Sequence, residues 1–268
     1  MSVKKFCLIL LSGILSLPLF AQDSTASKKL TKAQKKEAKR ERINMLIRQE
    51  EEGELVFRKQ SAFGFKMNSD GYGFSYEWGK FKSPRKTTLF MLEWNERKHQ
   101  KEKKLAAFFN GFQFNSVVYG KANNFYQFKL GLGQQRIIGG KGNKNGVAVA
   151  AVYAAGISAG FVKPYFVDVE DNNGLRTRKT YPTIIDSGYL ELGASGFTVG
   201  WNQVKVRPGA HVKAALRFDY GRFNETVTAI EAGLVAEYYA NKIPQVVYND
   251  EKQFFFNAYV SILLGKLK

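Results

Sequence analysis

The chain has 268 residues, a formal net charge of +18 and a single cysteine. This length accommodates one large β domain or two small ones, and we favour one. The lone cysteine, Cys7, lies in an N-terminal segment that we expect to be removed, which excludes disulfide bonds and cysteine catalysis in the mature chain. A basic excess of this size indicates a polyanionic partner.

The first residues have the organisation of a signal peptide, predicted at 1–21. Lys4 and Lys5 precede an apolar run that ends at the small residue Ala21. The run is shorter than the about 20 apolar residues of a membrane helix. An exported chain rarely meets nucleic acid, so the expected partners are anionic lipid headgroups, lipopolysaccharide phosphates or another envelope polymer.

Residues 22–54 have the composition of a charged helix or linker. Lysine and arginine dominate its first part, and four glutamates lie between Glu50 and Glu54. Thr31 and Gln34 fit a capping box, while the apolar residues are too few to bury a core. We expect a solvated periplasmic helix that ends near Gly53. The alternative is an arm that plugs a barrel lumen or binds an anionic envelope component.

From residue 60 the hydrophobic period changes from helical to two, which is typical of strands with one apolar and one polar face. Val212, Ala214 and Leu216, for example, alternate with Lys213 and Arg217. Eight strands are predicted in this way, with a ninth at 61–68 and a tenth at either 113–119 or 197–206. The eight are 74–79, 90–97, 126–133, 147–161, 189–193, 209–221, 226–239 and 253–265.

The segment 147–162 is almost without polarity, and its Gly156 to Gly160 spacing resembles a packing motif of membrane helices. It is too short to span a membrane as a helix. As a strand, it has Tyr153 and Ile157 on an outer face and small residues such as Ala154 on an inner face. Small inner residues leave room for long charged side chains from opposite strands, so we predict a strand.

Three features favour a transmembrane barrel, whose apolar face is turned towards lipid. The polar face carries bulky groups of both signs, the apolar face carries aromatics near strand ends, such as Trp78 and Trp94, and the signal peptide supplies the route. The alternative is a periplasmic lipocalin-like barrel with an apolar cavity. We therefore predict an all-β fold, an antiparallel transmembrane β-barrel of about 8–10 strands over residues 55–268. The charged residues predicted to cluster in its lumen are Glu77, Glu93, Arg97, Lys129, Lys213, Arg217, Asp219, Glu231 and Glu237.

One hairpin permits a predicted register. If a turn at 222–224 joins its two strands, keeping their apolar faces together forces odd residues opposite odd ones. Ala215 then faces Glu231, and Lys213 and Arg217 lie diagonal to that carboxylate, within reach of long side chains.

Seven stretches carry a family resemblance: 96–102, 119–126, 139–146 (GGKGNKNG), 215–221 (ALRFDYG), 242–244 (KIP), 255–257 (FFN) and 264–266 (LGK). They resemble small, mostly uncharacterised outer-membrane β-barrel proteins of Bacteroidota over about residues 60–268. The resemblance implies an outer-membrane location and a barrel fold, and it brings no catalytic residues. Leu267 and Lys268 stand where proteobacterial barrels have a terminal aromatic, which bears on recognition by the barrel assembly machinery, an expected partner.

Signals for catalysis are weak. The two histidines are His99, in a charged loop, and His211, on a polar strand face. Asp219 shares that face but lies about 26 Å along the strand, so the pair cannot act together. Ser195 or Ser261 could approach His211 only through the tertiary fold. We therefore predict no catalytic residues and rank a lipid-modifying enzyme last.

Signals for metal or cofactor binding are also weak, and we predict neither. Two isolated histidines cannot form a zinc site of ordinary spacing. The glycine-rich 139–146 lacks the Lys-Ser/Thr ending of a phosphate loop and is predicted to be a turn. Asp168, Glu170 and Asp171 have the chemistry to bind calcium, but a solvated loop is favoured.

Three functions stay open at this point. The first is a non-catalytic barrel whose loops or basic arm bind an envelope component or a partner protein. The second is a narrow passive channel for small solutes. The third is a lipid-modifying enzyme that uses His211. The inward charges would fill a bore of this size, so we rank the channel second.

Overall fold

The computed structural model describes residues 31–51, 57–105, 108–109, 112–113, 116–140, 146–185, 187–221, 226–247 and 249–268. The predicted signal peptide at 1–21, the boundary at Gly53, most of the predicted turn at 139–146 and the turn at 222–224 lie outside these residues. The chain divides into two compact units, Met1–Arg42 and Ile43–Lys268.

Helix α1 (Lys32–Glu51) has a strongly charged sequence. The predicted capping box is confirmed at its start. The backbone NH of Gln34 donates to Thr31 Oγ1 at 3.4 Å, and the backbone NH of Thr31 donates to Gln34 Oε1 at 3.0 Å. These bonds occupy donors that the first turn of a helix otherwise leaves unpaired. Within the described residues, no helix combines the length and the apolar character needed to cross a membrane.

The remaining described residues are mostly in strands, with one short helix, α2 (Tyr181–Ile184). In chain order the strands are β1 (Lys59–Asn68), β2 (Gly71–Ser83), β3 (Lys86–Arg97), β4 (Lys103–Leu105), β5 (Phe108–Phe109), β6 (Phe112–Gln113), β7 (Val117–Tyr119), β8 (Asn123–Gly139), β9 (Ala148–Pro164), β10 (Phe166–Glu170), β11 (Arg176–Thr180), β12 (Leu190–Ala194), β13 (Lys205–Asp219), β14 (Thr226–Ile243) and β15 (Lys252–Leu267).

Eight of these strands close into an antiparallel barrel, in the ring order β1-β15-β14-β13-β9-β8-β3-β2. The barrel closes because β1 pairs with β15 on one side and with β2 on the other. The predicted fold class is confirmed, with a strand number at the lower end of the expected range. Strand β1 corresponds to the ninth strand predicted from the sequence. An eight-stranded barrel is just wide enough inside for side chains to fill it.

The prediction of a barrel strand at 189–193 is wrong. This segment forms β12, which pairs with β10 in a separate sheet of order β11-β10-β12. A hydrophobic period of two indicates that one face of a strand is buried, and it does not distinguish a strand of the barrel wall from a strand of a separate sheet.

Neither candidate tenth strand joins the barrel as a strand of its own. Segment 113–119 contributes to β6 and β7, and 197–206 contains a 3-10 turn (Trp201–Gln203) before β13 begins.

The connections at the two ends of the barrel differ in length. The end that we call the loop end carries the long connections 98–122, 165–204 and 244–251, together with the tight hairpin at 69–70. The opposite end, the turn end, carries the connections 84–85, 140–147 and 220–225 and the residues that precede β1 and follow β15. The sheet formed by β10, β11 and β12 lies in the longest loop-end connection.

Strand β9 confirms the strand interpretation of 147–162. Tyr153 and Ile157 are exposed on the outside, whereas Ala154 and Ser158 are buried. The glycine spacing has a steric explanation. A Cβ at Gly156 would collide with the carbonyl oxygen of Leu130 on β8. A Cβ at Gly160 would instead meet the rings of Phe125 and Tyr239, so Gly156 allows close strand approach and Gly160 makes room for aromatic side chains.

The outer face of the barrel is an apolar band. On β15 the outward residues from Phe254 to Leu264 are all apolar, and Lys252 and Lys266 bracket them. Ten residue steps at ~3.4 Å give ~34 Å along the strand, or ~26 Å across a membrane at a tilt of ~40°. This height is close to the ~25 Å apolar band of outer-membrane barrels. Exposed aromatics lie near both ends of the band, including Trp78 and Tyr220 at the turn end and Trp94 and Tyr238 at the loop end.

The predicted register of the β13–β14 hairpin is wrong by two residues. Arg217, not Ala215, lies opposite Glu231. The backbone NH of Tyr220 donates to the carbonyl oxygen of Thr228 at 2.9 Å, whereas the predicted register would have placed Tyr220 opposite Thr226. A shift of two residues leaves every side chain on its predicted face, because side chains alternate with a period of two.

Candidate functional site

The lumen contains a network of buried charges. Five cations and four carboxylates point inward, and none of these residues is more than 4% exposed. Eight of them are in the set proposed from the sequence, and sequence reasoning missed Lys66. Its signal was present on β1, where Lys66 shares the inner face with Ala62 and Gly64 between exposed Phe65 and Met67. The nine are Lys66, Glu77, Glu93, Arg97, Lys129, Lys213, Arg217, Glu231 and Glu237.

The part of the network nearer the turn end is centred on Arg217. Its Nη2 lies 2.6 Å from Glu77 Oε2 and 2.5 Å from Glu231 Oε2. Glu231 also accepts a hydrogen bond from the Tyr259 hydroxyl at 2.5 Å and lies 3.1 Å from Lys213 Nζ. We call these five residues the Arg217 cluster. It joins strands β2, β13, β14 and β15, so its bonds cross the bore as well as the wall.

A pair of salt bridges at Glu93 links this cluster to its neighbours. Lys66 Nζ lies 2.6 Å from Glu93 Oε1, and Lys213 Nζ lies 3.3 Å from the same oxygen. Lys213 thereby contacts Glu93 on β3 and Glu231 on β14 at once. The middle of the lumen is therefore spanned by alternating charges, and each carboxylate that the structure describes there contacts a cation.

The part nearer the loop end is centred on Glu237. Its carboxylate contacts Lys129 and lies 2.7 Å from Arg97 Nη2. It accepts a further hydrogen bond from Gln127 Nε2 at 2.6 Å. Arg97 continues the network to Asp70 in the hairpin at 69–70, with Nη1 at 2.8 Å from Oδ2. Burial raises the pKa of the Asp70 carboxyl, and the Arg97 guanidinium opposes that rise.

This arrangement fixes what the lumen can do. A buried charge needs an opposite partner and satisfied hydrogen bonds, because removal from water costs several kcal/mol per ion. The network supplies both, and its long side chains occupy the interior of a barrel that is only just wide enough for them. The geometry is that of a filled, salt-bridged core and not of a water-filled passage.

Asp219 differs from the other residues of the predicted cluster. It is half-buried at the turn end of β13, where its carboxylate accepts a hydrogen bond from the backbone NH of Gly221 at 2.7 Å. Asp219 therefore caps the end of β13 and does not belong to the Arg217 cluster.

His211 is not paired with any of the residues considered for catalysis, Asp219, Ser195 or Ser261. His211 is paired with Ser158, whose Oγ lies 2.9 Å from His211 Nδ1. Ser195 instead donates to Asp168 at 2.7 Å in the loop-end sheet, and Ser261 lies opposite Glu231 on the barrel wall. His211 is itself buried on the inner face of β13.

The prediction of a solvated loop at the acidic residues considered for calcium is wrong for two of them, since Asp168 and Glu170 lie on strand β10 opposite arginines of β11. Asp168 lies 3.0 Å from Arg178, and Glu170 lies 3.0 Å from Arg176. Across the described residues, no group of three or more histidine, cysteine, aspartate or glutamate side chains is placed to hold a metal ion.

Comparisons with known proteins give structural likeness alone. No protein-family model matches the chain, and no curated protein matches it in sequence. Neisserial surface protein A (NspA) is 10% identical with a TM-score of 0.37, over 78% of this chain and 96% of that one. Ail, the attachment invasion locus protein of Yersinia pestis, is 9% identical with a TM-score of 0.37 in its complex with the heparin analogue sucrose octasulfate, over 80% and 100%. The N-terminal β-barrel domain of Pseudomonas aeruginosa OprF is 13% identical with a TM-score of 0.32, over 77% and 96%. At such values the likeness adds nothing to the topology described above.

Proposed function

We propose that the protein is an integral outer-membrane β-barrel with a filled, non-conducting lumen and a non-catalytic structural or binding role in the cell envelope. The observation that carries this is the inversion of the barrel, with charges buried inside and a broad apolar band exposed outside. In water such a surface would be an aggregation hazard, whereas in a bilayer it is the required one. We propose in addition that the chain is one of the outer-membrane barrels of Bacteroidota that it resembles, and that residues 1–21 are removed as a signal peptide.

The orientation follows from the lengths of the connections. Outer-membrane barrels have short periplasmic turns and longer extracellular loops. We therefore assign the turn end, and with it the charged arm at 22–54, to the periplasm and the loop end to the outside. The barrel assembly machinery would insert the chain, and lipopolysaccharide would surround the loop end.

The loop end supports a binding role because it has a folded core of its own. Val167 and Val169 of β10 are fully buried, together with Tyr165, Tyr181 and Ile184. The backbone NH of Val118 donates to the Tyr165 hydroxyl at 3.1 Å, which ties β7 to this core. A loop that only connected strands would not need a buried core, so the loop end has the rigidity of a recognition surface.

A charged cleft of about 270 Å³ lies at this end, between the hairpin at 69–70, the start of the 98–122 connection and β15. Lys98, Lys101 and Lys252 line it together with Asp70 and Asp250. Its polar character suits an envelope polymer or a partner protein better than an apolar small molecule.

Neighbouring residues of β15 give a matched test of membrane insertion. Val260 is 51% exposed on the outer face, and Ser261 is 2% exposed on the inner face. In outer-membrane vesicles, a thiol probe confined to lipid should label Val260→Cys and spare Ser261→Cys. The protein should also migrate on gels in a heat-modifiable way. Labelling of Ser261→Cys alone, or recovery of the protein in the soluble periplasmic fraction, would overturn the proposal in favour of a lipocalin-like barrel.

A further inference from the structure

Six cationic side chains form a one-sided patch on the outer wall at the turn end. They lie on β15, β1, β2, β3 and β8, which are consecutive in the ring. All are exposed apart from Lys86, which is half-buried. We call this patch the basic arc; it consists of Lys59, Lys80, Lys82, Lys86, Arg136 and Lys266.

The register places like charges directly opposite each other within the basic arc. Lys59 faces Lys80 across β1 and β2, and Lys86 faces Arg136 across β3 and β8. Like charges in directly opposed positions destabilise a sheet. The ion pairs found among the described residues include none of the six. On the barrel strands, the described side-chain carboxylates nearer this end, those of Glu77, Asp219 and Glu231, belong to the inner face.

Among the strand residues that the structure describes, the outer face of the other three barrel strands carries no cation near the turn end, so on the strands the arc is a local feature. On β9, β13 and β14 the outward positions near the turn end are Val149, Phe218, Tyr220, Thr226 and Thr228. A general requirement for cations at a membrane surface would have distributed them around the whole ring. Their concentration on five adjacent strands indicates a ligand that meets one side of the barrel.

The position of the arc identifies the chemistry of that ligand. Lys80 follows Trp78 on the outer face, and Lys266 follows Leu264, so the ammonium groups lie just beyond the apolar band. In a bilayer this is the level of the headgroup phosphates, which lysine and arginine reach with their flexible stems. A protein partner at this height would have to lie among the lipids.

We propose that the basic arc binds the phosphate groups of anionic glycerophospholipids in the leaflet at the turn end. These phosphates offset the repulsion between the opposed cations. The anionic lipids therefore stay bound on one side of the barrel. The inference rests on the proposed membrane insertion and adds a lipid class and a binding side to it.

The test compares anionic with zwitterionic lipid around the full-length protein. Purified protein is reconstituted in phosphatidylcholine vesicles with rising fractions of brominated phosphatidylglycerol or brominated phosphatidylcholine, and quenching of tryptophan fluorescence reports the relative binding constant. Trp78 lies next to the arc and is the reporter, in a background in which Trp94 and Trp201 are replaced by phenylalanine. The arc variant is Lys80→Gln/Lys86→Gln/Arg136→Gln. The control variant, Lys103→Gln/Lys104→Gln/Arg176→Gln, loses the same charge from exposed residues of the loop-end connections.

The wild-type protein and the control should prefer phosphatidylglycerol, by about fivefold for each engaged cation. The arc variant should lose this preference, and ~1 M NaCl should remove it from the wild type, since the Debye length is then about 3 Å. In a zwitterionic detergent the arc variant should be at least as stable as the wild type, because a like-charge repulsion is relieved. Lys80→Gln alone provides the same comparison if the triple variant does not fold.

Each contrary result has a distinct meaning. An inserted wild type without a preference for phosphatidylglycerol, or an arc variant that keeps the preference, overturns the inference and leaves membrane insertion standing. Failure of the wild type to insert into any vesicle overturns the membrane proposal, and the arc inference with it. If the arc variant loses an acidic envelope protein that the wild type retains, and its lipid preference is unchanged, the ligand is that protein and not a lipid.

Discussion

Neutralising Glu231 probes the dryness of the lumen. Glu231 is 1% exposed, and its carboxylate contacts Arg217, Lys213 and the Tyr259 hydroxyl. Removing one partner of a buried ion pair typically costs ~3 to 5 kcal/mol, because a charge stays buried without compensation. In Glu231→Gln, Arg217 keeps Glu77 at 2.6 Å, so we expect the lower end of this range, about 3 kcal/mol.

The free energy of unfolding, measured by urea titration of the folded protein in vesicles, checks this value. Glu251→Gln is the matched control: it removes the same charge from an exposed loop residue and should change stability by less than about 0.5 kcal/mol. A water-filled lumen would screen the pair and leave a loss of only ~0 to 1 kcal/mol. A loss that small for Glu231→Gln would refute the filled-lumen interpretation. Labelling of Glu231→Cys by a lipid-phase thiol probe would show that the faces are reversed.

The N-terminal arm, the close strand contact at Gly156 and the buried His211 can each be tested with one variant. Deleting Ser24–Glu54 should leave barrel assembly intact, since this arm lacks a strand period; a truncated protein that fails to insert would make the arm structural. Gly156→Ala should destabilise the barrel by ~1 to 3 kcal/mol, because its Cβ collides with the β8 backbone. Gly140→Ala, where a Cβ meets nothing within 4 Å, should be nearly neutral in the same thermal melt. His211→Ala should leave the lipid A mass spectrum unchanged, and an altered spectrum would establish a lipid-modifying activity.

The faces of the strands could be predicted from sequence because the side-chain period of two is a local property. Arg217 and Glu231 therefore point inward whatever the register. The register itself depends on the turn at 222–225, where a shift of two residues leaves the pattern intact. For this reason the sequence predicted Ala215 opposite Glu231, whereas the structure places Arg217 there.

Strand membership and long-range contacts were less predictable. Leu190–Ala194 has the alternation of a barrel strand, but it belongs to the loop-end sheet, because alternation reflects burial of one face against any core. The contacts of Glu237 with Arg97 and Lys129 depend on β14 facing β3 and β8 across the bore. Only ring closure through the long connections creates that juxtaposition, and no local pattern encodes it.

Conductance of the purified wild-type protein in planar bilayers tests the filled lumen most directly. With Glu237 and the Arg217 cluster spanning the bore, we expect no steady conductance above that of the lipid alone, even at high potassium chloride. Steady single-channel steps from protein shown to be folded by its heat-modifiable migration would contradict it.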